Sequence, residues 1–216
     1  MFEFPRWGGY QRLIGMVILG AVLVVISDQW TKWYIDHKMP IREVHLRDHA
    51  GKRLTQIIYV GDPAKGEWNR PIEVIPGFVY IVHVVNRGAA WGIFSGFTWG
   101  LALISLIAVG GIVYYMRDIC AGYRERWFAL SILLGGTIGN LIDRLNLIPR
   151  KSNIHGVVDF ISLQCRSRGW EWPAFNIADM GISLGVMILV VSFWCRGNPS
   201  KQAEKAPAEK QPQASA

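Results

Sequence analysis

Four stretches without a charged side chain dominate this sequence: Leu13 to Ser27, Gly88 to Met116, Trp127 to Ile142, and Trp172 to Cys195, the last broken only by Asp179. They are 15, 29, 16 and 24 residues long, against the roughly 20 needed to span hydrocarbon. The first and third reach that length if flanking polar and aromatic residues sit at the interface. Eight of the ten Trp lie at or near the ends of these blocks, where amphipathic rings favour the membrane boundary. Soluble helices would show a polar face every 3.6 residues, and Val17 to Ile26 shows none. The reading is a membrane all-α fold, a four-transmembrane-helix bundle carrying a small extracytoplasmic β-sheet element.

The first block follows Arg6 and Arg12, as a secretory signal would, but Val25-Ile26-Ser27-Asp28 is a poor cleavage site, so a retained anchor is expected. Four spans place both termini with the short loop Arg117 to Arg126. Lys and Arg number 9 on that side and 14 on the other. Long translocated segments weigh little in orientation, and the short loop holds three Arg, so the termini are expected in the cytoplasm. The formal charge of +7 is scattered over loops and tail, which argues against nucleic acid as a partner. Cys165 is expected outside and Cys120 and Cys195 inside, which predicts no intrachain disulfide.

The expected organisation is a membrane unit over 1–196, with an extended β-rich outer segment at about 40–88, then a disordered cytoplasmic tail at 197–216. Within the outer segment, Gln56-Ile57-Ile58-Tyr59-Val60 and Phe78 to Val85 read as strands, separated by a polar stretch with Gly61, Pro63, Gly66 and Pro71.

In an up-and-down bundle, the end of span 1, the start of span 2, the end of span 3 and the start of span 4 meet at one membrane face. There the sequence gathers Asp28, Lys32, Asn86, Asn140, Asp143, Arg144, Asn176 and Asp179, and the opposite ends show only what read as ordinary loop charges. A chemical site at the outer interface follows. Asp28 has Lys32 four residues on, and Asp143 has Arg144 beside it. Asp159, in Val157-Val158-Asp159-Phe160, and Asp179, in Ile177-Ala178-Asp179-Met180, have no such neighbour. Two acids in apolar surroundings, brought together, would titrate as a pair, one able to act as base and the other as acid. The simpler reading of an interfacial Asp is a helix cap; for Asp28 the two readings weigh equally, while Asp143 with Arg144 reads as structural. His83 and His155 read as ordinary strand or loop residues. Gly135-Gly136-Thr137-Ile138-Gly139 would let another helix approach closely, and Asn140, Asp143 and Arg144 would share one face beyond it.

Together these segments resemble the five motifs of signal peptidase II, the lipoprotein signal peptidase family. In order they are Asp28-Gln29-Trp30-Thr31-Lys32, Asn86-Arg87-Gly88-Ala89-Ala90-Trp91-Gly92, Gly135 to Arg144, Val157-Val158-Asp159-Phe160 and Phe175-Asn176-Ile177-Ala178-Asp179. The resemblance implies a multi-pass aspartyl protease of the bacterial inner membrane, removing signal peptides from diacylglyceryl-modified prolipoproteins just before the lipidated cysteine. It assigns the catalytic pair to Asp159 and Asp179, and substrate-holding or supporting roles to Asp28, Lys32, Asn86, Asn140, Asp143, Arg144 and Asn176. No metal and no cofactor are expected. The expected partners are lipidated prolipoproteins and membrane lipid, the chain is expected to be a monomer, and the site to face the periplasm. Arg87 and Trp91 depart from the usual motif residues, and the intervals Asp28 to Asn86 and Asn146 to Gly156 are longer than the family's. Two other classes compete: paired acids holding Mg²⁺ for phosphoryl transfer to a lipid carrier, and a transporter with an acidic proton relay.

Overall fold

The computed structural model describes residues 7–39, 41–47, 53–59, 71–88, 97–120, 123–151, 153–165 and 168–196. Ala89 to Gly92, most of the polar stretch with Gly61, Pro63 and Gly66, and the tail from 197 fall outside the described residues. The elements run α1 (Trp7–Lys38), β1 (Ile41–Arg47), β2 (Arg53–Tyr59), β3 (Ile72–Ile75), β4 (Val79–Asn86), α2 (Thr98–Cys120), α3 (Arg124–Arg144), β5 (Val157–Cys165), β6 (Trp170–Phe175) and α4 (Ile177–Arg196).

Four long helices are present, but by length and composition α1, α2 and α4 alone qualify as membrane spans among the described residues. The expected fourth, α3, falls short on this criterion because it carries Arg124, Glu125, Arg126, Asp143 and Arg144. Its position explains how it tolerates them. It packs against α1, α2 and α4, and most of one flank is buried, from Arg126 to Asp143. The other helices turn large apolar side chains outward, among them Leu19, Leu23, Ile104, Ile107, Val190 and Val191. A hydrocarbon-facing exterior around a more polar interior is the pattern of a membrane bundle.

Small residues set how closely the helices approach. A Cβ on Gly136 would lie 2.3 Å from the Ala178 carbonyl oxygen, and one on Gly139 would lie 2.6 Å from Asp28 Oδ2. Gly136→Val is therefore expected to push α4 off α3, costing about 1–3 kcal/mol. Thermal denaturation in detergent reads this as a lowered melting temperature, and an unchanged one would contradict the packing.

The expected small antiparallel sheet is present, with more strands than the two runs read from the sequence. β1 and β2 form an antiparallel hairpin, and β3-β4-β5-β6 form a four-stranded antiparallel sheet. β2 and β4 overlap the two runs read as strands. β5 and β6 were unforeseen, and Trp172 to Phe175, taken as the start of the fourth apolar block, belong to β6. Likewise α2 starts at Thr98, ten residues after the charge-free run begins at Gly88. Lack of charge marks an apolar environment, whereas helix starts are marked by caps.

The opposite end of the bundle also differs from expectation. Arg126 is fully buried rather than an ordinary loop charge. Its Nε donates to Ser192 Oγ at 2.8 Å and its Nη1 to the Ile119 carbonyl at 3.1 Å, while its guanidinium lies 3.9 Å from the centre of the Phe193 ring. Five donors on a planar fork let one side chain tie the end of α2, the start of α3 and the end of α4 together.

Candidate active site

The first turn of α4 is built by reciprocal capping. Asn176 precedes the helix and Asp179 is its third residue. The Asn176 Oδ1 accepts from the Asp179 amide at 2.9 Å, and Asp179 Oδ2 accepts from the Asn176 amide at 3.2 Å. This is the capping-box arrangement with Asn and Asp in place of Ser or Thr and Glu. The amide between them, Ala178, donates to Asp28 Oδ1 of α1 at 3.0 Å. Three of the four unpaired amides expected at such a helix start thus have carboxylate or carboxamide partners.

Asp159 arrives from the sheet. Along β5 the side chains alternate, and Val158 and Phe160 pack with Ile35 of α1, which leaves Asp159 on the opposite face. β5 pairs with β4 so that Asp159 lies opposite Val84. At the end of β4 the Asn86 Oδ1 accepts from the Gly88 amide at 2.9 Å, which fixes its carboxamide so that Nδ2 donates to Asp159 Oδ2 at 3.1 Å. Asn176 Nδ2 donates to Asp159 Oδ1 at 2.6 Å. One asparagine therefore holds both acids, Asp159 through its side chain and Asp179 through its backbone.

Lys32 is the hub behind this pair. It is fully buried. Its Nζ lies 2.8 Å from Asp28 Oδ2 and 2.7 Å from Asp143 Oδ2 and donates to Asn140 Oδ1 at 2.9 Å. With its oxygen so engaged, Asn140 aims Nδ2 at Asp179 Oδ1, 2.7 Å away. One sequence reading is corrected here and one refined. Asp143 takes its cations from Lys32 and Arg150 rather than from its neighbour Arg144. The face shared by Asn140, Asp143 and Arg144 is split at its edges: Asn140 and Asp143 both meet Lys32 of α1, Asn140 and Arg144 line the cleft, and Asp143 and Arg144 diverge by about 100° around the helix. Arg144 interacts chiefly with Asp179 and Asp159.

Asp159, Asp179, Asn86, Asn140 and Arg144 border one cleft of about 470 Å³, whose apolar wall includes Leu163, Trp172, Phe175, Met180 and Ile182. Burial and, next, the charge of Asp179 push the Asp159 carboxyl up to about 7. Cys165 is half-buried at the end of β5, outside any disulfide and not among the residues lining the cleft.

All nine residues singled out from the sequence fall in this cluster. Three others were missed. Gln29 donates to Asp28 Oδ2 and to the Gly139 carbonyl, and its place inside the first motif was the available signal. Arg150 contacts Asp143 and Gln29 from a loop, where the sequence offers none. Asp36 lies 3.8 Å from His83 Nε2. His83 sits buried in β4 with its ring Nδ1 against the Met39 carbonyl at 2.6 Å, and burial holds its basicity down.

Known proteins match most of the chain. The signal peptidase (SPase) II family matches residues 20–195. A lipoprotein signal peptidase of Geobacillus thermodenitrificans is 32% identical over 91% of this chain and 99% of its own length. One from Listeria welshimeri is 34% identical over 79% of this chain and 88% of its own. A solved structure described as a bacterial membrane enzyme superposes with a TM-score of 0.59 at 31% identity, covering 92% of this chain and 96% of that one. On the span of these matches and the site they enclose, this chain belongs to the signal peptidase II family, a family of aspartic peptidases.

Proposed function

We propose that the chain removes signal peptides from diacylglyceryl-modified prolipoproteins, cleaving before the lipidated cysteine, with Asp159 and Asp179 as the catalytic pair. The observation that carries this is the shared asparagine: Asn176 holds both carboxyls beside one cleft. The mechanism starts with one proton on Asp159, in keeping with its raised basicity. Asp179, ionised, takes a proton from a water lying between the two acids. Asp159 hydrogen-bonds the scissile carbonyl as the water attacks, and Arg144 offsets the negative charge of the site. Asp159 passes its proton to the carbonyl oxygen to give a tetrahedral diol. Proton return from Asp179 to the amide nitrogen, with a diol proton going back to Asp159, breaks the C–N bond: the lipidated cysteine leaves as a free amine and the signal peptide as a carboxylic acid.

The apolar wall of the cleft suits acyl chains and an unwound signal peptide. The environment of the acids favours proton sharing over a divalent cation, because each carboxylate oxygen already receives an amide N–H.

In this reading α3 is a fourth span. Its charge-free centre, Trp127 to Ile142, crosses with α1, α2 and α4, and its polar ends lie at the interfaces. The termini are cytoplasmic, the site faces the periplasm, the membrane is the bacterial inner membrane, and the protein acts as a monomer over residues 1–196 with a β-rich outer segment at about 40–88. The test is to incubate the purified protein in detergent with a lipidated prolipoprotein and, in parallel, its unlipidated form. A shortened product from the lipidated form alone, undiminished by excess chelator, is expected. No product, or equal cleavage of both, would refute the proposal.

A further inference from the structure

We infer, on the reading that Asp159 and Asp179 are the reacting pair, that Arg150 is a positioning residue which sets the charge and amide orientation of that pair through Asp143, Lys32 and Asn140. Arg150 lies beyond the five motifs, in the long interval between Asn146 and Gly156. The turn that returns it to the bundle is specified locally. Asn146 adopts a left-handed conformation, φ 52°, its amide donates to the Asp143 carbonyl and the Leu147 amide to that of Ile142. This pair of bonds with a left-handed Asn closes α3 and reverses the chain. Arg150 then folds inward until its side chain is only 4% exposed.

Its Nη2 lies 2.5 Å from Asp143 Oδ1 and donates to Gln29 Oε1 at 2.7 Å. From there the chain of contacts is continuous: Asp143 to Lys32, Lys32 to Asn140, Asn140 to Asp179. Two buried carboxylates, Asp28 and Asp143, are balanced by two buried cations, Lys32 and Arg150. Remove the Arg150 charge and the group carries one net negative charge behind the catalytic pair. Lys32 is then drawn toward Asp143, and the Asn140 oxygen keeps only the longer bond from Asn176 Nδ2, 3.3 Å, to hold its Nδ2 on Asp179.

The groups facing Asp159 are Asp179 of α4, Arg144 of α3, Lys32 of α1 and the neutral amides of Asn86 and Asn176. Those facing Arg150 are Asp143, Gln29 and, through the field, His83 of β4, which also faces Asp36. An added negative charge in this set makes Asp159 harder to ionise.

The experiment compares Arg150→Gln and Arg150→Lys with the unaltered protein, measuring kcat, KM and the alkaline limb of kcat/KM on a lipidated prolipoprotein. Melting temperature against pH, without substrate, gives a second readout. Arg150→Gln is expected to lower kcat at least tenfold with KM changed less than twofold, and to move upward both the alkaline limb and the pH at which the decline in stability levels off. Arg150→Lys is expected to keep both profiles in place and recover most of kcat. A folded Arg150→Gln with unaltered kcat and profiles overturns the inference, as does an Arg150→Lys as impaired as Arg150→Gln. Should Arg150→Gln fail to fold, a displaced profile in Arg150→Lys overturns it and an undisplaced one upholds it. The melting profile needs no turnover, so a protein inactive on prolipoprotein would refute the proposed activity while the charge relay is still decided.

Discussion

Asp159→Asn and Asp179→Asn each lower kcat/KM on a lipidated prolipoprotein by at least about 10³-fold, the range expected when a proton-transferring group is lost. The substitutions keep volume and much of the hydrogen bonding, so substrate retention in detergent should survive. The two losses have different origins. Asn at 179 cannot take a proton from water, while Asn at 159 can donate a hydrogen bond to the carbonyl but cannot exchange the proton that the diol must redistribute. The double variant should be little worse than either single one, because the acids act as a unit. Full activity of either single variant would remove the acid pair from the mechanism.

The second large effect has the opposite sign and concerns stability. Asp159 titrates near 7 in the folded protein, raised by burial and by Asp179, and an unfolded aspartate titrates near 3.9. Between these values the folded state keeps a proton that the unfolded chain has released. Stability therefore declines as pH rises from about 4 to about 7, and above that the full penalty applies, roughly 4 kcal/mol by proton linkage. Asp159→Asn cannot ionise and escapes this penalty. It should melt at a clearly higher temperature than the unaltered protein at pH 8, with the difference vanishing near pH 4. Equal melting temperatures at pH 8 would mean that Asp159 is not held protonated by its surroundings. An inactive but stabilised variant is the signature of a group kept for chemistry at the expense of folding.

Much of the site was legible in the sequence, because a charge in an apolar block has few reasons to be there. Asp179 stood out that way, and Asp28 with Lys32 by helical spacing. What the sequence hid were partners set by the tertiary fold. Asp143 has an Arg beside it in the chain, yet Lys32 and Arg150 are its partners in space. The sheet was half hidden for a similar reason: Val157 to Cys165 and Trp170 to Phe175 are apolar runs whose strand character depends on β4 as a neighbour. The helix at 177 did carry a local sign, Asn176 three residues before Asp179, which charge-free length alone overrode.

The contact between Asp28 and the Ala178 amide joins the first helix to the last across 150 residues of chain. Ribosomes deliver α1 well before α4. Until α4 inserts, Asp28 has no amide to cap, Asn176 cannot bridge the acids, and Asp179 has not yet been made. Asp159 then has Asn86 on the sheet as a partner but no second acid. With Asp159 and Asp179 as the proposed pair, the growing polypeptide would be inert as a protease until α4 docks.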